Sequence, residues 1–426
     1  MEEALRIRRI TAGMILDSRG NPTIEAHLST KNYTVSASAP SGASTGLHEA
    51  KELRDNNKAY NGLGVSKAIR NVEKISTLLK GVMVVDQERI DSMMIKLDNT
   101  SDKSRIGANA MLAVSIAAAK AAALHARVPL YKWLHILSHD KKQSRIPVPY
   151  ANIINGGMHA GNNLSIQEFM IAPVKAKTMS EATMIISETY HELKKIIIKK
   201  HGAQSTGVGD EGGFAPPIKT PEEALNMIES ALKRTGYDKK TIIAIDAAAS
   251  SFYDEKTRTY NLYNHLKKNK TPKEMLDYYK SLVKSYNIKS IEDPFYEEDF
   301  GSYAQLTKSI GSKVQVIGDD ITTTNPGRIE MAAKKKSINS LLLKPNQIGT
   351  VTETLIAVEK AYSHKWKIMA SHRSGETEEH FIADLAVGIG CGQIKLGGPT
   401  RGERTAKYNQ LLRIEDAHPK MPYGGT

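Results

Sequence analysis

Six ionisable residues stand at or near the C-terminal ends of short apolar runs in the second half of the 426-residue chain. They are Asp246 after "TIIAI", Glu292 in "IKSIED", Asp319 in "VQVIGDD", Lys344 in "NSLLLK", His372 in "WKIMASH" and Lys395 in "GQIK". A strongly hydrated cation directly after Leu341–Leu343 makes sense only if the strand ends there in a shared polar pocket. Asp246, Glu292 and Asp319 are three carboxylates that raise one another's pKa when packed closely, unless a cation neutralises them. All-oxygen ligands favour a hard ion, and Mg2+ fits best. A lysine near such an ion and near Lys395 is expected to have a lowered pKa, and its neutral amine is a general base. A metal on carboxylate oxygens stabilises the charge that accumulates when an adjacent carbon loses a proton. The set therefore points to proton abstraction α to a metal-bound carboxylate.

Elimination also needs an acid. "STGVGDEGGFAPP" places Glu211 between glycine pairs, and Glu168 stands in "IQEFMIA". Two carboxyls held together can share a proton and keep one of them acidic at neutral pH. Gly207, Gly209 and Gly212 match G-x-G-x-x-G, but "FAPP" follows instead of a helix, so a dinucleotide site is rejected. Two further segments suit an anion: the small-residue loop "PSGASTG" at 40–46 and "SHRSGETEE", which brings His372, Arg373 and Ser374. His135 and His139 have metal-like i, i+4 spacing and read as surface residues.

These residues need a scaffold that makes them converge. The gaps between the six are 46, 27, 25, 28 and 23 residues. A strand–helix unit of a (β/α)8 barrel takes about 30 residues, and such barrels keep their active sites where the strands end. Before this, residues 15–39 alternate in short β-like runs and 46–137 read as mostly helical. "DKKQSRIPVPYANIINGG", with Pro147 and Pro149, is the candidate boundary. The expected architecture is α/β: a smaller N-terminal α+β capping domain over 1–139 and a C-terminal modified (β/α)8 barrel over 140–426.

Composition sets limits on the alternatives. Hydrophobic residues make up 40% and charged residues 25%, an ordinary globular balance. The stretch "AMLAVSIAAAKAAALHA", broken by Lys120, reads as a buried helix and not a membrane span. The N-terminus shows no signal-peptide pattern, and the one cysteine, Cys391, allows no intrachain disulfide. A cytoplasmic setting is expected, which leaves room for a surface or secreted fraction. Lys plus Arg total 59 against 46 Asp plus Glu, giving +13. The lysines are scattered and aromatics are only 6%, so nucleic-acid binding is not indicated.

The chain resembles the enolase family. The resemblance is carried in family order by "DSRGNPT", "PSGASTGLHEA", "NGGMHAGN", "QEFMIAP", "GVGDEGGFAP", "SIEDPF", "GDDITTTNP", "LLLKPNQIGT", "SHRSGETE" and "NQLLRIE". A Lys or His base beside Mg2+ is the known device of that superfamily, so the lysine-and-metal reading is not independent of it. The resemblance implies reversible dehydration of 2-phosphoglycerate to phosphoenolpyruvate, in glycolysis and gluconeogenesis. It implies Lys344 as the base for the C2 proton and Glu211 as the acid for the C3 hydroxyl, with Glu168 beside it. It assigns Mg2+ to Asp246, Glu292 and Asp319, with Asp320 outside the primary ligands. A second Mg2+ would arrive with substrate at Ser44. Arg373 and Ser374 would hold the phosphate beside His372, His159 would close over the substrate, and Lys395 would contact its carboxylate. Arg19, Glu25 and Arg413 match positions at a family dimer contact, so a homodimer or homo-octamer is implied; local salt bridges read equally well there. Departures at Ser251, Gly398 and Gly402 replace no proposed catalytic residue. The alternatives are another superfamily enzyme acting on a different carbon acid, and a binding protein on a surface or RNA.

Overall fold

The computed structural model describes residues 2–43, 45–139, 142–263 and 269–424. The N-terminal part holds an antiparallel sheet of β1 (Arg9–Leu16), β2 (Pro22–Ser29) and β3 (Thr34–Ser38), in that spatial order. Ile24, Ala26 and Leu28 alternate along β2 and are fully buried, the period of a strand with one face on a core. The helix Ala108–Ala126 lies over β2 and β3 with nearly all its residues buried. Its many alanines allow that close approach, and burial accounts for its apolar length. Helices Ser66–Leu79, Gln87–Asp98 and Leu130–Leu137 complete this part.

The larger part is a closed barrel of β4 (Val148–Asn155), β5 (Glu168–Ala172) and β6 (Ile242–Asp246), followed, after the hairpin β7 (Tyr253–Asp254) and β8 (Thr259–Tyr260), by β9 (Ile288–Glu292), β10 (Gln315–Gly318), β11 (Ser340–Leu343), β12 (Lys367–Ser371) and β13 (Gln393–Lys395). β5 runs antiparallel to both β4 and β6, whereas every other neighbouring pair is parallel. Two helices, Met179–His201 and Pro221–Thr235, come in succession between β5 and β6. The barrel therefore opens irregularly, as the sequence before Asp246 suggests, and settles into strand–helix repeats afterwards.

β4 is a strand that the apolar runs did not single out. Pro147 and Pro149 read as boundary punctuation, yet Pro149 lies inside a barrel strand. Val148 donates its N–H to Gly392 on the β13 side (2.9 Å), and the β5 ladder starts only at Ala151. Pro149 therefore sits where no ladder hydrogen bond needs its missing N–H.

Alternation along the strands builds the mouth. Val148, Tyr150, Met170, Ala172, Ala244, Ile317, Leu342 and Met369 form the barrel's inner cluster, while Leu341 and Leu343 pack outward on the main core. Two residues on from each inner position lies the mouth: Asp246 after Ala244, Asp319 after Ile317, Lys344 after Leu342. Because β5 is reversed, Glu168 precedes Met170 and reaches the same end. It pairs in register with Asp246, which pairs with Glu292.

Candidate active site

Lys395, at the end of β13, lies among the carboxylates. Its ammonium donates to Asp246 Oδ2 (3.1 Å) and to both oxygens of Glu292 (2.9 Å each), and it lies 3.0 Å from Glu168 Oε1. Burial disfavours its charge, but Asp246, Glu168 and Glu292 outweigh burial and hold its pKa well above the lysine value. Asp246 also accepts from Gln167 Nε2 (3.3 Å) and the amide of Ala248 (2.9 Å). Glu292, buried and beside Asp246, is pushed well above the usual carboxylate range. The structure thus brings Asp246 and Glu292 together on Lys395, and turns Asp319 towards Lys344.

Lys344 donates its ammonium to Asp319 Oδ2, and its backbone N–H to Thr324 Oγ1 (2.9 Å). Burial opposes the charge, and Arg373 and Lys395 oppose it too. The Asp319 carboxylate, with Glu292, outweighs all three and holds Lys344 above the ordinary lysine value. The expected lowering belongs to a cation-bound site; here the carboxylate in direct contact dominates the second lysine. Asp319 is further held by Gln347 Nε2 (2.8 Å), which Glu49 also accepts from (3.3 Å).

Glu168 and Glu211 form the second centre. Oxygens of both, with a ring nitrogen of His159, lie within 4.8 Å of one another. Burial, then Glu211, pushes Glu168 well above its usual value. Burial would do the same to Glu211, but the His159 and His372 rings hold it well below. His159 Nδ1 is 3.4 Å and His372 Nε2 3.6 Å from Glu211 Oε1, and Asn152 donates to Oε2 (3.1 Å). Arg404 donates to His372 Nδ1 (2.6 Å), which fixes the tautomer with its proton on Nε2, facing Glu211. Burial drives the His372 pKa far down, so it offers Glu211 an N–H dipole and not a full charge. The proton shared by the pair therefore rests on Glu168, with Glu211 ionised.

Arg373 forms a two-pronged ion pair with Glu49 (2.9 and 3.2 Å), and Asn346 accepts from the same guanidinium (3.1 Å). Ser374 Oγ accepts the amide of Ala43 (2.7 Å), which ties the 40–46 loop to the barrel. Ser44 lies outside the described residues. Arg19 bonds locally to Asp17, Ser41 and the Gly42 carbonyl. His139 is exposed with Glu88 nearby (3.4 Å), and His135 Nδ1 lies 3.0 Å from the carbonyl of Gly388.

A cavity of about 20 Å3 remains, lined among others by Glu168, Glu211, Asp246, Asp319, Lys344 and Lys395. Six carboxylates line it, counting Asp293 and Asp320, against three fixed cations with Arg373. Oxygens of Asp293, Asp319 and Asp320 also lie within 4.8 Å of one another. Asp293 is committed elsewhere, since it accepts from the amides of Asp319 (3.0 Å) and Asp320 (2.7 Å) and from Tyr303 (2.9 Å). A buried oxygen-only set with more negative charge than its lysines neutralise is the environment a hard divalent cation fits.

Comparison with known proteins decides the family. The model of "Enolase, C-terminal TIM barrel domain" matches residues 143–425, and that of "Enolase, N-terminal domain" matches 7–134. The chain is 50% identical to enolase of Methanocaldococcus jannaschii over 427 residues, covering 100% of this chain and 98% of that one. The chain belongs to the enolase family. It is also 48% identical to enolase B of Dictyostelium discoideum, over 98% of this chain and 96% of the relative, and 49% identical to enolase of Methanopyrus kandleri, over 96% of each. Membership in the enolase family brings metal dependence with it, and the acidic clusters fit that. The reading from sequence did not find Asn152, Glu49, Gln347 or Arg404. Asn152 had a signal, since it stands two residues after Tyr150, in phase with the mouth, in the strand that the prolines disguised.

Proposed function

We propose that this hydro-lyase converts 2-phosphoglycerate to phosphoenolpyruvate and water, reversibly, with Lys344 as base and Glu211 as acid. The observation that carries this is the meeting of Lys344 with the Glu168–Glu211 pair in one cavity, beside Arg373 and Ser374. Asp246, Glu292 and Asp319 are the residues that would hold Mg2+, with Ser44 taking part in a second that accompanies substrate. Bound there, a hard cation would supply charge stabilisation for the substrate carboxylate. Lys344 then removes the C2 proton. The proton held on Glu168 passes to Glu211, which delivers it to the departing C3 hydroxyl. His372 and Asn152 hold Glu211 in place. Arg373 exchanges Glu49 for the substrate phosphate, with Ser374 alongside, and His159 excludes water as the loops close. Lys395 spaces the carboxylates and meets the substrate carboxylate. A homodimer or homo-octamer using Arg19, Glu25 and Arg413 belongs to the same proposal, as does a reducing cytoplasm for the buried thiol of Cys391; sedimentation tests the first.

The deciding experiment follows the ultraviolet absorbance of phosphoenolpyruvate formed from 2-phosphoglycerate, for the native chain and Lys344→Ala, each with Mg2+ or EDTA. Activity is expected only with both Lys344 and Mg2+, with Lys344→Ala down by about 10² to 10⁴, the usual contribution of a general base. A folded native chain without activity would sink the reading and turn attention to other carbon acids.

A further inference from the structure

At the opposite end of the barrel, where the parallel strands begin, lies a larger cavity of about 580 Å3. Lys367 is the first residue of β12 and Lys289 the second of β9; Lys313 and Lys365 come from the turns leading into β10 and β12. Four lysines therefore surround one concavity, and no Asp or Glu lines it. None of these four ammonium groups has a hydrogen-bond or ion-pair partner among the described residues. Alternation puts Lys367, Gln315 and Gln393 in phase with the barrel interior, since each stands two residues before Met369, Ile317 or Lys395. Gln393 is only 7% exposed, and its Oε1 and that of Gln315 are buried without a partner. A side-chain amide can turn over to offer its NH2 to an acceptor-rich ligand. Four exposed lysines thus border one concavity, with no carboxylate on its wall and two glutamine amides at its base.

We propose that this cavity binds a small, multiply charged phosphate anion. Its volume lies in the range of small-molecule sites, roughly 300–1,000 Å3. Its one lining aromatic, Tyr150, is buried and engaged by Gln315 Nε2 (3.2 Å), so the stacking platforms that single-stranded RNA uses are missing from the wall. Ammonium groups as point charges and amide donors are general phosphate ligands. The phosphate could be carried by an inorganic oligophosphate or by a nucleoside phosphate, and the apolar floor, including Val148 and Ile242, would favour the latter. The site is independent of the chemistry at the other mouth.

The test is calorimetric titration of the full chain with tripolyphosphate and, separately, with ATP, in excess Mg2+ and saturating phosphoenolpyruvate to fill the active site. One saturable site is expected, weakening as salt rises. In the double variant Lys313→Glu/Lys367→Glu, and more mildly in Lys289→Gln/Lys365→Gln, affinity should fall by about tenfold or more as charge-assisted contacts are lost. Turnover of 2-phosphoglycerate should stay at the native level, which also reports folding. Equal affinities for the two probes assign the site to oligophosphate alone, and tighter ATP assigns it to nucleoside phosphates. No saturable binding, or unchanged affinity in both variants, overturns the proposal. So does binding of single-stranded RNA, abolished by the same substitutions, in a chain that takes up neither small probe.

Discussion

Asn152 shows how one side chain tunes the acid. Its Nδ2 donates to Glu211 Oε2 at 3.1 Å. A hydrogen bond to a charged group contributes about 1.5–3 kcal/mol. Asn152→Ala removes a donor that favours ionised Glu211, so the carboxyl should keep its proton to higher pH. The limb of the kcat–pH profile that Glu211 governs should move to the alkaline side, and kcat should fall by about tenfold. A profile superimposable on the native one would remove Asn152 from the machinery. The residue scale also shows what sequence can reveal. Asp246, Asp319 and Lys344 were legible because each ends an apolar run in phase with the barrel interior. Glu168 was legible as chemistry but not as position, since it opens its strand and only the reversal of β5 brings it to the mouth. Arg404 and Glu49 were not legible. Each reaches the site from a distant segment, and no local spacing links them to His372 or Arg373.

At the scale of elements, the helix Ser66–Leu79 has no capping side chain of its own at Val65. Asp55, eleven residues before Ser66, supplies the cap from a loop: its carboxylate accepts the amides of Ser66 (2.9 Å) and Lys67 (2.8 Å). A Cβ at Gly64 would lie 2.4 Å from Asp55 Oδ2, so the glycine leaves room for this side chain. Burial alone would raise the Asp55 pKa, but those two amides outweigh it and hold the pKa below the ordinary value. Asp55→Ala should cost about 1–2 kcal/mol, typical for a lost N-cap, read as a lower Tm at neutral pH. Because the folded-state pKa is depressed, this stabilisation is present above the unfolded-state pKa and disappears as pH falls through the folded-state value. The Tm gap between the two chains should therefore shrink between pH 7 and about pH 3, below the ordinary aspartate value. A constant gap would mean that the aspartate acts through packing and not through its charge. A cap supplied from a distant loop leaves no local signal at Val65, whereas the barrel strands were found by their apolar runs. The exception, β4, was lost to two prolines whose harmlessness depends on which neighbour each residue faces.

For the whole molecule, the question is what holds the N-terminal part to the barrel segment that carries Lys344. That segment runs directly into the helix Val351–Ser363, and three N-terminal residues grip the start of this helix. Ser115 Oγ accepts the amide of Val351 (2.9 Å), Asp91 accepts the amide and hydroxyl of Thr352 (2.9 and 2.6 Å), and Lys103 donates to Glu353 (2.8 Å). The Lys103 and Glu353 side chains are only 7% and 19% exposed. Removing one partner of a buried pair leaves an uncompensated charge and costs about 3–5 kcal/mol, whereas replacing both can be nearly neutral. The residual exposure of Glu353 puts Lys103→Met towards the low end, about 3 kcal/mol. Glu353 keeps a second task in either case, accepting from the Thr350 hydroxyl that caps its own helix (2.8 Å). Glu353→Gln keeps one acceptor for that cap and removes the charge. The double variant Lys103→Met/Glu353→Gln should therefore be more stable than Lys103→Met alone, with a coupling of about 1–3 kcal/mol from urea unfolding of all four chains. Additive effects would show that the pair is solvated and that Asp91 and Ser115 carry the junction. If the pair does couple, Lys103→Met should also lower turnover more than the double variant does, because the loosened helix start lies next in the chain to Lys344.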